Sequence, residues 1–157
     1  MTIQPSPPPA KGKLAGIDYG TVRIGVAVTD AERLIAVPFE VWRRRSEELD
    51  LQHFKEFVER EQIVHFVVGL PLHCSGELSE KARQAIEFAG KLAEATGLSI
   101  DFLDERFTSV IAEDYLRQAG LTAKKRRKKL DAIAAQIILS TYLERNCVGT
   151  TEFESLD

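Results

Sequence analysis

The sequence predicts an α/β protein on a mixed five-stranded sheet, three antiparallel strands followed by two parallel ones, with helices on both faces. Three observations carry this. Apolar residues alternate with period two in closely spaced runs between Leu14 and Trp42. Ile63 to Val68 is a nearly continuous apolar run, as in a strand buried on both faces of a parallel sheet. Helical periodicity fills the intervals before and after that run.

The first strand, Leu14-Ala15-Gly16-Ile17, ends on a single carboxylate, Asp18. Gly20-Thr21 turns the chain. Val22, Ile24, Val26 and Val28 then form the apolar side of a second strand, while Gly25 and Ala27 keep its other side small. A third alternation sets Leu34, Ala36 and Pro38 against Ile35, Val37 and Phe39 and ends in Val41-Trp42. Pro38 suits an edge strand, and the short gaps favour an antiparallel meander.

From Ser46 to Gln62 the period becomes helical, through Leu49, Phe54, Phe57 and Val58. Ser46 can cap that helix, with Glu47 and Glu48 in its first turn. The Ile63 to Val68 strand stops at Gly69-Leu70-Pro71-Leu72, and His73-Cys74-Ser75-Gly76 reads as a polar loop. Glu77 to Thr96 is the next helix, with Ala82, Ala85, Ile86, Ala89, Leu92 and Ala93 as its buried stripe and Gly97 closing it. Leu98 to Leu103 is the fifth strand. Thr108 and Ser109 can cap a helix to about Ala119, a basic segment follows, and a last helix is expected from about Leu130 to Arg145. The organisation expected is a disordered leader over 1–13, one domain over 14–146 and a flexible tail over 147–157.

The 157 residues, 44% hydrophobic and 29% charged, suffice for one domain with a substantial core. No apolar run approaches the roughly 20 residues of a membrane span, and MTIQPSPPPAKGK has no apolar core of the kind a signal peptide needs. Cys74 and Cys147 are too far apart for a Cys-x-x-Cys site, which fits a reducing cytoplasm. The net charge of −3 is unevenly spread. Lys124, Lys125, Arg126, Arg127, Lys128 and Lys129 form one basic run, and Arg43-Arg44-Arg45 another. Setting those nine aside from 21 leaves 12 bases against 24 acids. Two concentrated basic spots on an acidic chain suggest a polyanion partner, although such runs can also be solvated loops.

Ligands of sheets like this gather beyond the carboxyl ends of the strands, and three acids are aimed there. Asp18 ends the first strand, Glu105 follows the fifth, and Asp131 opens the last helix. An Asp at the mouth of a buried strand must be solvated, paired or bound to metal, or it holds the Tyr19-Gly20 corner. Asp131 shares a helical stripe with Ala135, Ile138 and Tyr142, which turns it inward, unless it is an N-cap to Ala134. Glu105 has a rival in Asp104. Arg106 can form a local salt bridge or clamp a phosphate. Three carboxylates without a Cys or His cluster suit Mg²⁺ or Mn²⁺, and two such ions about 4 Å apart clamp the attacking and leaving oxygens of a phosphodiester. The sum is a metal-dependent nuclease. Arg23, Arg106 and Lys124 to Lys129 are its expected nucleic-acid contacts.

Four segments in order strengthen that reading. They are Asp18-Tyr19-Gly20 with Arg23-Ile24-Gly25-Val26-Ala27, Val67 to Leu72 with Gly76, Asp104-Glu105-Arg106 with Thr108-Ser109, and Asp131 to Ala135. With them the chain resembles the YqgF (RuvX) family, described both as Holliday junction resolvases and as pre-16S ribosomal RNA nucleases. The resemblance spans about Leu14 to Leu143. It implies an RNase H-like fold, a cytoplasmic location, nuclease activity in ribosome biogenesis, and acidic positions at Asp18, Glu105 and Asp131. His73 stands where the family often has Asn.

Other readings remain open at this point. A resolvase of branched DNA would use the same acids and, unlike a monomeric nuclease, would be a symmetric homodimer. Asp-Tyr-Gly-Thr also looks like the phosphate loop of the actin and sugar-kinase group, but those proteins close two such domains over ATP. A non-catalytic RNA-binding protein would use the basic runs and leave the acids to structure.

Overall fold

The sheet runs in the order β3-β2-β1-β4-β5. A computed structural model describes residues 4–73, 75–108 and 123–156, with side chains at all of these except 107, 123–128 and 146–156. β1 (Lys13–Asp18), β2 (Arg23–Thr29) and β3 (Ala36–Arg43) form the antiparallel meander, with Asp18 opposite Gly25. β4 (Ile63–Leu70) lies parallel to β1, and β5 (Ser99–Asp104) parallel to β4. This is the predicted arrangement, with β3 and its Pro38 at one edge.

The helices cover both faces. α1 (Glu47–Glu61) and α2 (Glu80–Thr96) share one, where Phe54, Phe57, Phe88 and Leu92 pack on Ile17, Ile24, Val26 and Phe66. α3 (Ala123–Leu156) lies on the other, where Ala135, Ile138, Leu139 and Tyr142 pack on Leu14, Ala27, Val67 and Leu103. That last set contains the stripe predicted from Asp131, so the helical spacing did place the sheet-facing side. Ser46 caps α1 by accepting from the Leu49 N–H, and Gly97 closes α2 at φ +74°.

Several boundaries differ from those expected. β3 starts at Ala36 because the Asp30 carboxylate accepts from the N–H groups of Leu34 and Ile35 and turns the chain there, leaving both side chains exposed. Val22 stands in the β1–β2 turn and is exposed. α2 starts at Glu80, since Ser79 accepts from the Ala82 N–H at 3.0 Å and donates to the Pro71 carbonyl at 2.5 Å. α3 starts at Ala123 rather than near Leu130, and it runs on to Leu156 rather than ending at Arg145. The basic run is therefore helical. Lys and Arg are good helix formers, and no Gly or Pro interrupts 123–148. The helix expected from Thr108 to about Ala119 lies almost wholly outside the described residues. Ahead of β1, the Ser6 N–H donates to the Ile100 carbonyl at 3.0 Å, and Arg33 donates to the carbonyls of Pro9 and Gly12.

Arg44 is structural. Its Nε donates to buried Asp50 at 3.0 Å and its Nη1 to the Tyr19 hydroxyl at 2.7 Å. Asp50 also accepts from the Trp42 indole and the Arg45 N–H, both at 2.9 Å. Burial alone would raise its pKa, but these donors outweigh burial and hold it low. Asp50→Ala would strand the partly buried guanidinium, so a loss of about 3 kcal/mol is expected in urea unfolding. A loss below about 1 kcal/mol would show that the cluster is dispensable.

Candidate active site

Every strand has one end at the same edge of the sheet. β1, β3, β4 and β5 finish there and β2 begins there. α2, which follows β4, starts on that side. Asp18, the last residue of β1, lies on the face covered by α3, because its alternate neighbours Ile17 and Tyr19 belong to the opposite core.

Two glycines flank Asp18 on that face. On one side Gly25 is its partner in β2, and a Cβ at Gly25 would collide with the backbone carbonyl of Asp131. On the other, Gly69 of β4 lies one residue beyond the Ile17–Val68 pairing. A Cβ there would come within 2.8 Å of the Glu105 carboxyl carbon. Glycine inside a strand marks a close approach. Here the two approaches bring Asp131 and Glu105 to either side of Asp18.

Glu105 opens a short 3₁₀ turn (Glu105–Phe107) after β5. Its carbonyl accepts from both the N–H and the hydroxyl of Thr108 at 3.1 Å. The rivalry with Asp104 is resolved by pairing. The Asp104 carboxylate accepts from the Arg106 N–H at 2.9 Å and from its Nε at 2.7 Å, and the Arg106 contact holds its pKa low. Arg106 thus forms the local salt bridge. Asp131 lies well inside α3, eight residues past the first, so it is not an N-cap. Its Oδ2 accepts from the Arg23 Nε at 3.0 Å.

Burial and like charge act together on these acids. Burial, then the Glu105 carboxylate and more weakly Asp131, push Asp18 up to about 7 against the opposing pull of Lys81. Burial also raises Glu105, again opposed by Lys81, with Asp104 adding to the rise. Buried carboxylates that repel one another are chemically suited to a hard cation. Still, among the described residues no three His, Cys, Asp or Glu side chains are gathered tightly enough to form a ready cation cage. Asp131 would have to leave Arg23 to complete one.

Beside the acids, a cleft of about 580 Å³ is lined by Thr21, Arg23, Lys81, Gln84 and Asp131, among others. Lys129 is exposed on α3. The side chains of Lys124, Lys125, Arg126, Arg127 and Lys128 lie outside the described residues. Their backbone occupies the two α3 turns before Asp131. Because α3 runs from Asp131 over Gly25 to Tyr142 beside Asp101, those turns extend from Asp131 toward the site end of the sheet, reaching about 10 Å beyond Asp131 at Lys124.

Residues 12–145 match the RuvX family, described as Holliday junction resolvase. The chain belongs to that family. A Rhodopirellula baltica relative named "Putative pre-16S rRNA nuclease" is 46% identical over 136 residues, covering 87% of this chain and 79% of its own. A Maridesulfovibrio salexigens protein of the same name is 41% identical over 133 residues, covering 85% and 98%. Among solved structures, T. thermophilus RuvC in complex with a Holliday junction substrate superposes with a TM-score of 0.58 at 19% identity, covering 86% of this chain and 96% of RuvC. At that identity the likeness is one of fold, the RNase H-like fold expected from the sequence. Among the described residues, no helix of this RuvX-family chain is long and apolar enough to cross a membrane.

Sequence reasoning gave no role to three residues of the site. Gly25 was visible as a small residue in a strand, a signal that could have been followed, whereas Gly69 read as the stop of a strand that in the structure continues to Leu70. Lys81 had no signal, since it stands in the polar start of a helix with nothing around it to mark it.

Proposed function

We propose that this RuvX-family protein is a divalent-cation-dependent nuclease acting on precursor 16S ribosomal RNA in the cytoplasm, with residues 14–146 as the nuclease domain. The observation that carries this reading is the placement of Glu105 and Asp131 on either side of Asp18, made possible by Gly69 and Gly25. The relatives' names favour the ribosomal RNA substrate.

Asp18, Glu105 and Asp131 are oxygen donors of the type that Mg²⁺ or Mn²⁺ prefers. Two such ions, when bound, would supply stabilisation of the attacking and leaving oxygens of a phosphodiester. The chain's own groups would do the rest. Asp18 fixes the centre of the site on a rigid strand. Glu105 is held by the turn that Thr108 closes. Arg23, once released from Asp131, becomes free to take a phosphate oxygen. Arg106, once released from Asp104, and Lys124 to Lys129 would hold the flanking nucleic-acid backbone by charge.

A second reading, resolution of branched DNA, is favoured by the fold shared with RuvC. The test gives purified protein a precursor 16S RNA fragment and a DNA four-way junction in Mg²⁺. Cleavage of the RNA, with the junction left intact, is expected. Cleavage of the junction alone would replace this reading with the second.

A further inference from the structure

Lys81 is oddly placed for a structural lysine. It is the second residue of α2, directly after Glu80 and the Ser79 cap. A cation at a helix N-terminus faces the positive end of the helix dipole, which disfavours it. Among the described residues it makes no hydrogen bond or ion pair. The other lysine of α2, Lys91, pairs with both Glu47 and Glu87. Lys81 is exposed, and it lines the 580 Å³ cleft that also holds Arg23 and Asp131. Both Asp18 and Glu105 feel its charge. So an unengaged ammonium stands at the cleft within the field of the acids, on a different element from Arg23.

We infer that Lys81 is a substrate-binding residue whose ammonium takes a non-bridging oxygen of the nucleic-acid phosphate seated in this cleft, with Arg23 as the second cation on that phosphate backbone. This rests on the proposed nuclease reading. In that reading the acids alone would repel a phosphodiester. A cation that stays near them without being consumed by any one of them lowers that repulsion and still has its donors available. Lysine serves as a point charge with three donors and needs no fixed fork geometry, which suits a flexible stem reaching in from a helix start.

The test measures binding of a single-stranded RNA oligonucleotide in EDTA, across a range of salt, by the wild-type protein and by Lys81→Ala, Lys81→Arg and Lys55→Ala. Lys55 is exposed on α1 and matches the change in net charge. Melting temperatures and Mg²⁺-dependent cleavage are recorded for all four. Lys81→Ala is expected to bind about tenfold more weakly, the loss of one charge-assisted hydrogen bond. Its log-log salt slope should be shallower by about 0.7, the value of one single-strand phosphate contact. Lys81→Arg should regain the slope and Lys55→Ala should keep it. A lysine that only steadied the acids would change the melting temperature and leave the slope alone, and an unchanged slope in Lys81→Ala overturns the inference. If the wild type cleaves RNA and the slope is unchanged, the phosphate contact falls and the nuclease reading stands. If the slope changes but no substrate is cleaved, the nuclease reading falls and the contact stands. Absence of RNA binding by the wild type removes both.

Discussion

Replacing Asp18 by Asn is expected to abolish cleavage and, at pH 8, to make the protein more stable. Asn keeps the shape of Asp18 but removes the charge. In the folded protein burial and the neighbouring carboxylates lift this group from 3.8 to about 7. Between those values the folded state holds a proton that the unfolded chain has released, so wild-type stability falls as pH rises through that window and levels off above it. The cost of ionising Asp18 in the fold is then on the order of 4 kcal/mol. Asp18→Asn escapes that cost, so its melting temperature should exceed wild type by several degrees at pH 8 and match it near pH 4. Added Mg²⁺ should raise the wild-type melting temperature at pH 8 and leave that of Asp18→Asn nearly unmoved, because ligand binding to the folded state alone is stabilising. Equal melting temperatures for the two proteins at pH 8 without metal would mean that Asp18 does not stand among repelling acids.

Gly25→Ala is expected to be the most damaging one-carbon change in the molecule's site. Its new methyl would meet the backbone carbonyl of Asp131, which has no rotamer with which to yield. Helix α3 must then lift from β2. Overpacking of this kind typically costs 1–3 kcal/mol, and because backbone is the obstacle a value of about 3 kcal/mol or more is expected. The lift moves Asp131 away from Asp18, so cleavage should fall with stability. Gly90→Ala is the contrast. Gly90 sits inside α2 with nothing within 4 Å of an added Cβ, and Ala there should stabilise by about 0.5–1 kcal/mol. If Gly25→Ala melts like wild type in the same urea series, the close packing of α3 on β2 is wrong.

These two residues illustrate how far the sequence could be read. The period-two pattern identified the strand that holds Gly25 and showed that its α3 face was small, but a pattern along one strand cannot say which distant backbone will use the space. The same limit applies to Lys81, whose meaning depends on β1, β5 and α3 converging near a helix start that is unremarkable in sequence. Asp131 was legible, since the step to Ala135, Ile138 and Tyr142 is a property of one helix. The start of that helix was not. Six consecutive basic residues read as a nucleic-acid-binding segment between two helices, whereas their individual helix propensities and the absence of any breaker carry α3 back to Ala123. Glu105 and Asp104 were adjacent and chemically alike, and only the turn that ties Asp104 to Arg106 separates them.

The most direct measurement is cleavage of the precursor 16S RNA fragment by wild type, Asp18→Asn, Glu105→Gln and Asp131→Asn, each in Mg²⁺ and in EDTA. The expected result is cleavage by the wild type in Mg²⁺ only, and a loss of at least about a hundredfold in every variant whose melting curve shows it folded, since loss of a residue that merely supports a metal ligand already costs about 10–100-fold. Cleavage that survives EDTA, or that persists in any folded variant, would contradict a cation site built from Asp18, Glu105 and Asp131.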